Sequence, residues 1–383
     1  VRILPATSFL LAISVISPGA TAGLAATRQD VTRARLTTAA RSGGDYLLRM
    51  QRPDGSFHYY YNAAEDRFEQ RTYNMVRHAG TALSLLELYS STRDIRYLDA
   101  GRRAARFLET RFHPVPGRDA MYVLDYDRKA KLGANGLALV ALTKLLALDP
   151  KSNARATSQR LANLILMLQR KDGSFHTRYR LQPNDPAGIA SLYYPGEAIL
   201  GLARLYDVTR DKRLLVAARR GADFLIASQR AMRTLPADAW LMQALEALYN
   251  IGHEKHYAEH ALALAGAMIS EQYTDEDSDG YAGGFGPGPP RVTPAASRAE
   301  GLVAAYRLAR SSGDARASSI AAALKASARF QLTQQFTSEN NASARNPARA
   351  AGGFFEGSTE PFVRIDFVQH NISSLLGIAE TLY

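Results

Sequence analysis

Two stretches of this chain set histidine among groups able to tune it. In the first, Asn74, Arg77 and His78 stand at i, i+3 and i+4 and share one helical face, with Tyr73 beside them and Arg71 just upstream. In the second, Asp366 and His370 lie one helical turn apart, flanked by Arg364, Gln369 and Asn371. A carboxylate at that spacing can orient an imidazole and raise its basicity, as a general acid or base requires. Four carboxylates, Glu197, Asp238, Glu300 and Asp366, open apolar segments, with Tyr193 and Tyr194 before Glu197, Trp240 after Asp238, and Arg298 before Glu300. The expected catalytic set is these four acids with His370, His78 and Tyr73. The expected binding set is Arg71, Asn74, Arg77, Tyr193, Tyr194, Trp240, Arg298, Arg364, Gln369 and Asn371. Carboxylates and amides for hydroxyls, with aromatic rings for apolar sugar faces, are what a carbohydrate site requires.

Each of these residues also has a structural reading. An acid at a helix start is favoured by the macrodipole and by free backbone N–H groups. Ser297 to Glu300 fits a capping box, and Asp366 to Gln369 is a close variant. Trp240, the one tryptophan in the sequence, suits a core plug as well as a sugar platform. The loop acids Asp125, Asp127 and Glu360 stand in reserve, and Asn135 is the main polar group of its own segment.

These residues need a scaffold that aims several helix starts at one place, and hydrophobic periodicity supplies it. Amphipathic helices are expected near 30–52, 95–112, 152–170, 212–229, 254–273 and 314–336, alternating with helices apolar almost all round near 73–91, 132–148, 194–209, 236–251, 293–311 and 367–382. The joints repeat: Leu88-Tyr89 with Asp94, Leu205-Tyr206 with Asp211, and Ser311 to Asp314 each end one helix and cap the next. Turns from apolar to amphipathic helix are short, whereas five of the six return connections, near 53–72, 113–131, 171–193, 274–292 and 337–366, are long. Loops of that length in a compact domain are usually functional, and they are expected to wall a cleft over the apolar helix starts. The fold class is therefore all-α, an (α/α)6 toroid of six hairpins in inner and outer rings.

Gln51 to Phe57 and Gln169 to Phe175 share the phrase Gln-Arg-x-Asp-Gly-Ser-Phe. It resembles the glutamine–aromatic repeat of squalene-cyclase-type toroids, with Phe in place of Trp, and Gly283-Gly284-Phe285 and Gly352-Gly353-Phe354 echo its end. The Asp-x-Asp-Asp acid of terpene cyclisation is missing, because Asp275-Glu276-Asp277-Ser278 lacks the last Asp, and the cysteines of zinc-holding toroids are absent. The similarity therefore points to six-hairpin glycosidases and to toroidal lyases and epimerases of uronate-containing glycans. Hydrolysis would need a carboxylate pair across the cleft. Elimination or epimerisation would need Arg or Asn to neutralise a substrate carboxylate and Tyr or His to move a proton. The resemblance ranks glycoside hydrolysis slightly first, lyase or C5-epimerase chemistry second, and a non-catalytic glycan-binding or polysaccharide-biosynthesis accessory role third.

The remaining signals bound the setting. Of 383 residues the first 25 or so read as a signal peptide, apolar and ending Ala20-Thr21-Ala22, which predicts a secreted or periplasmic protein with one domain over 26–383 and no membrane span once the peptide is cleaved. A net charge of +11 suits an anionic poly- or oligosaccharide, while the dispersed basic residues argue against nucleic acid. There is no cysteine, hence no disulfide or thiolate site. No cofactor is expected beyond a calcium ion at Asp275, Asp277 and Asp279, where an Asp-x-Asp-x-Asp-Gly run begins but Gly286 occupies the place of the EF-hand Glu.

Overall fold

The structure is a computed structural model that describes residues 30–185, 188, 191–274, 280–357 and 360–383. Val31–Tyr383 is one compact unit. Its elements run α1 (Arg33–Met50), β1 (Tyr60–Asn62), β2 (Arg67–Phe68), α2 (Met75–Thr92), α3 (Ile95–Glu109), β3 (Phe112–Pro114), β4 (Met121–Val123), β5 (Ala130–Lys131), α4 (Leu132–Leu148), α5 (Ala154–Leu168), β6 (Arg178–Tyr179), α6 (Tyr194–Thr209), α7 (Lys212–Arg230), α8 (Ala239–Gly252), α9 (Lys255–Ser270), α10 (Val292–Ser312), α11 (Ala317–Thr333), α12 (Pro347–Ala350), β7 (Phe355–Gly357), β8 (Glu360–Arg364) and α13 (Ile365–Leu382).

The apolar helices α2, α4, α6, α8, α10 and α13 pack each on the next, and α13 returns to α2, so the inner ring closes. Each packs outward on an amphipathic partner, α13 on α1 and the others on the helix that follows them. The chain is an (α/α)6 toroid. The short joints hold because Arg93, Arg210 and His253 take the left-handed conformation at the helix ends. Asp94 and Asp211 then cap α3 and α7 by accepting from Arg96 N at 3.1 Å and Arg213 N at 3.0 Å.

The glutamine–aromatic phrase ties the outer ring together. Gln51, Gln169, Gln272 and Gln335 each close a bridge to a buried phenylalanine, Phe57, Phe175, Phe285 and Phe354. Each side-chain amide also donates to a carbonyl of the next outer helix: Ala100, Ala217, Ala323 and Ala39 at 2.9, 2.9, 3.0 and 2.9 Å. The fourth bond, from the end of α11 back to α1, closes the circle. The glycine of each copy, Gly55, Gly173, Gly283 and Gly352, has positive φ, and a Cβ there would sit within 2.4 Å of a backbone oxygen of that neighbouring helix.

The long return loops carry short strands, which the all-α reading of the sequence did not include. The first and last join in one antiparallel sheet ordered β2-β1-β8-β7, with Tyr60 opposite Arg364. Two further pairs, β3 with β4 and β5 with β6, stiffen the other loops. Their backbone groups lie over helix starts and need partners, which sheet pairing supplies. Because β8 runs directly into α13, this sheet fixes where Arg364, Asp366 and His370 stand.

Among the described residues no helix is long and apolar enough to cross a membrane, and no group of three or more His, Cys, Asp or Glu is placed to hold a metal. The expected calcium ligands Asp275, Asp277 and Asp279 lie outside the described residues, as does the expected signal peptide.

Candidate active site

At the N-terminal ends of the inner helices the ring opens into a bowl of about 400 Å³. Its wall includes Asn74 and Arg77 from the start of α2, Tyr193, Tyr194 and Glu197 from α6, Trp240 from α8, Arg298 from α10, and Arg364, Asp366, Gln369 and His370 from α13. The sequence thus brings together, from five hairpins, most of the residues singled out above. Six others lie elsewhere, for identifiable reasons.

His78 is fully buried behind the bowl. Its Nε2 lies 2.8 Å from the Ala104 carbonyl and must carry the hydrogen, so Nδ1 accepts from the Tyr73 hydroxyl at 2.8 Å. Tyr73 oxygen in turn accepts from Phe57 N at 3.1 Å. Burial lowers the His78 pKa to about 4. The pair is a neutral latch joining α2, α3 and the first loop, so the structure places the expected catalytic residues Tyr73 and His78 outside the wall of the bowl. Arg71 is exposed on the loop, over the ring of Tyr60 at 5.3 Å. Asn371 is buried and donates to the Phe367 carbonyl one turn back.

Asp238 is the cap its sequence also suggested: it accepts from Leu241 N at 3.0 Å and from the Gln229 amide at 3.0 Å, with no exposure. Glu300, by contrast, caps nothing. The helix α10 begins at Val292, so Ser297 and Glu300 lie inside it. Asp125 is likewise absorbed, accepting from Met75 N at 3.0 Å and pairing with Lys131 at 2.8 Å.

Glu300 instead partners His370. The imidazole Nδ1 sits 3.1 and 3.2 Å from its two carboxylate oxygens and donates to them. Asp366, the partner expected from spacing, is taken by arginines: Arg77 Nε reaches it at 3.1 Å, and Arg364 grips it through Nε and through Nη2 at 2.9 Å. Burial alone would raise the Asp366 pKa, but these guanidiniums outweigh it and hold the group ionised. Burial would make His370 neutral, yet Glu300 above all, then Asp366 and Glu197, lift its pKa above the usual histidine value. In the neutral form Nε2 faces the bowl and accepts a long hydrogen bond from the Gln369 amide at 3.4 Å, with the edge of Trp240 beside the ring.

Glu197 has the opposite environment. It is 3% exposed, and one of its oxygens has no hydrogen-bond partner. It fits because position 133 is glycine, where a Cβ would lie 2.2 Å from that oxygen. Burial first, and Asp238 second, push its pKa up to about 8. The bowl therefore sets a carboxyl that burial holds protonated at neutral pH beside an imidazole whose basicity is raised.

Sequence reasoning missed two charged lining residues, Arg291 and Glu356, which pair at 3.2 Å on the rim, and Tyr59, whose hydroxyl accepts from Arg77. The Tyr-rich run at 59–61 was the available signal for the last of these.

No family model matches the chain, and no curated protein matches it in sequence. Solved structures match it in fold. Cellobiose 2-epimerase from Bacillus thermoamylovorans B4167 superposes with a TM-score of 0.69 at 12% identity, covering 91% of this chain and 99% of that one. A D-mannose isomerase gives 0.65 at 14%, over 91% and 97%. An inactive variant of the alpha-1,6-mannanase of Salegentibacter sp. HEL1_6, in complex with alpha-1,6-mannotetrose, gives 0.64 at 12%, over 90% and 99%.

Proposed function

We propose that this chain is a carbohydrate-active enzyme that moves a proton on an acidic sugar held in the bowl, with His370 as base and Glu197 as proton donor. The observation that carries this reading is the division of the carboxylates. Asp366 is consumed by two arginines, Glu300 is turned to the back of His370, and Glu197 is protonated. No free carboxylate pair remains to flank a glycosidic bond among the described residues. Epimerisation, isomerisation or elimination therefore moves ahead of hydrolysis. The epimerase and isomerase likenesses are compatible with this order, and the mannotetrose complex of the mannanase supports an oligosaccharide as partner.

The acidic substrate follows from charge. Arg77, Arg291, Arg298 and Arg364 line the bowl; among the described lining residues the ionised acids are Asp366 and Glu356, since Glu197 is protonated, and Glu271 pairs with Arg298 from outside the bowl at 3.2 Å. The inner helix N-termini add positive potential. Secretion or periplasmic export, expected from the first residues, belongs to the same proposal.

Hydrolysis is the second reading, favoured by Glu197 alone: a carboxyl with a pKa near 8 suits protonation of a leaving oxygen, with His370 activating water. Incubation with neutral and uronate-containing oligosaccharides in D2O separates the two. Deuterium at a sugar carbon, or absorbance from an unsaturated uronate, supports proton transfer. New reducing ends without either overturns it in favour of hydrolysis.

A further inference from the structure

The bore of the toroid holds a second cavity, of about 480 Å³, below the bowl. Its walls come from the C-terminal halves of all six inner helices, and Glu87, Lys144, Arg204, Glu246, Arg307 and Glu380 face into it. His370 lines the bowl and not this vestibule, whereas Glu300 lines the vestibule and not the bowl. The hydrogen-bonded pair is thus a septum in the bore, imidazole on one side and carboxylate on the other.

Among the described residues the Glu300 carboxylate bonds to His370 alone, and its other lone pairs face the vestibule it lines. Glu87 of α2 lines the same vestibule, and its charge opposes ionisation of Glu300. Glu87 is itself held by the hydroxyl of Ser373, which donates at 2.6 Å from one turn beyond His370 on α13. A path of exchangeable groups therefore leads from the bowl through His370 and Glu300 to Glu87 and the opposite mouth.

We infer that the vestibule is the proton port of the His370–Glu300 pair, so that the base exchanges its proton with solvent on the face opposite the substrate. The balance is simple. When Nε2 takes a proton from a carbon or a water in the bowl, the Nδ1 proton passes to Glu300, and Glu300 releases it to vestibule water or to Glu87. That leaves a neutral imidazole with its hydrogen on Nε2; when Nε2 gives it to an atom in the bowl, Nδ1 takes a proton back from Glu300 and the starting tautomer returns. Glu300 and Glu87 touch no substrate in this scheme; Glu300 positions and discharges the base, and Glu87 relays. The imidazole can then stay neutral after taking a proton while an oligosaccharide fills the bowl, which a dyad open on one side alone could not do.

The inference rests on the proposed function only for the use made of the proton; the port itself is testable without substrate. In protein labelled with 15N-histidine, the exchange of the His370 Nδ1 proton with water is measured by magnetisation transfer. Glu87→Gln keeps the shape and the Ser373 contact but removes the relay, and Ser90→Trp narrows the vestibule should the first variant fail to fold. Slowing by about fivefold or more in either variant, with Tyr193→Ala in the bowl near the wild-type rate, is expected. Wild-type exchange in both vestibule variants overturns the port. If exchange slows as expected but no sugar substrate takes up deuterium, the port stands and the proposed function is what fails.

Discussion

His370 and Glu300 belong to adjacent inner helices, and the imidazole Nδ1 of one lies 3.1 Å from the carboxylate of the other. Neither residue is near the other in sequence, and the contact exists because α13 and α10 are neighbours in the ring. The pair fixes which ring nitrogen faces the bowl and how basic it is. It also sets the pH dependence of any proton transfer there. Activity should rise on the acid side as His370 loses its proton, above the usual histidine value, and fall on the alkaline side near pH 8 as Glu197 ionises. Glu300→Gln removes the charge that favours imidazolium, so the acid limb should move to lower pH while the alkaline limb stays. A pH–rate profile in which both limbs hold still would show that His370 is not the base. His370→Asn should lower kcat/KM by about 10²–10⁴.

Asp366 is the electrostatic anchor of the bowl. Removing its charge leaves Arg77 and Arg364 facing each other with their common partner gone. Asp366→Asn is expected to cost about 3–5 kcal/mol of stability, because a buried charge network loses one member. It should also weaken binding of uronate-containing oligosaccharides, since the guanidiniums would no longer be held toward the cavity. Urea unfolding and calorimetric titration report the two effects separately. A variant as stable as the wild type would mean that the arginines find other partners.

His78 makes the contrasting case. With its two ring nitrogens satisfied inside the protein, it has no lone pair left for chemistry. His78→Ala should destabilise by about 2–4 kcal/mol through a cavity and two stranded partners. Its pH–rate limbs should nevertheless coincide with those of the wild type. If one limb disappeared while the fold stayed intact, the structural assignment of this histidine would be wrong.

What the sequence made legible, and what it hid, follows from range. Helix phase, the turns at Arg93 and Arg210, and the Asp94 and Asp211 caps are local, and each was readable from residues within one or two turns. The ring repeat was readable only where spacing is constant. Gln51 and Gln169 meet their glycines four residues on, but Gln272 and Gln335 meet theirs after 11 and 17, so insertions conceal the same geometry. The site was legible as a set of helix starts and illegible as a set of pairs. Spacing offered Asp366 to His370, while closure of the ring delivered Glu300 and gave Asp366 to Arg77, 289 positions away.

The turn glycines give a direct test of that concealed geometry. Gly173→Ala must place a methyl 2.4 Å from the Arg220 carbonyl at a φ of +96° that disfavours any side chain, and Gly283→Ala meets Ala326 O at 2.1 Å. Both should destabilise by more than the ~1 kcal/mol typical of an exposed glycine change. Their effects should be similar although the loops differ in length. If Gly283→Ala were neutral and Gly173→Ala severe, the longer loop would not be a copy of the shorter one.

Glu197 offers a measurement that needs no substrate. Its carboxyl would ionise near 4.5 in the unfolded chain and near 8 in the folded one, because burial and Asp238 oppose the charge. A group whose folded pKa is raised contributes stability that is full below its unfolded value and is lost as pH rises toward the folded value. Each unit of that window is worth about 1.4 kcal/mol at most, so the wild type should lose a few kcal/mol between about pH 5 and pH 8 from this group alone. Glu197→Gln cannot ionise. Its unfolding free energy should therefore gain on the wild type as pH rises through the same window, whatever the offset between them at pH 5. Parallel stability curves would place the charge on Glu197 at neutral pH and remove the proton donor from the bowl.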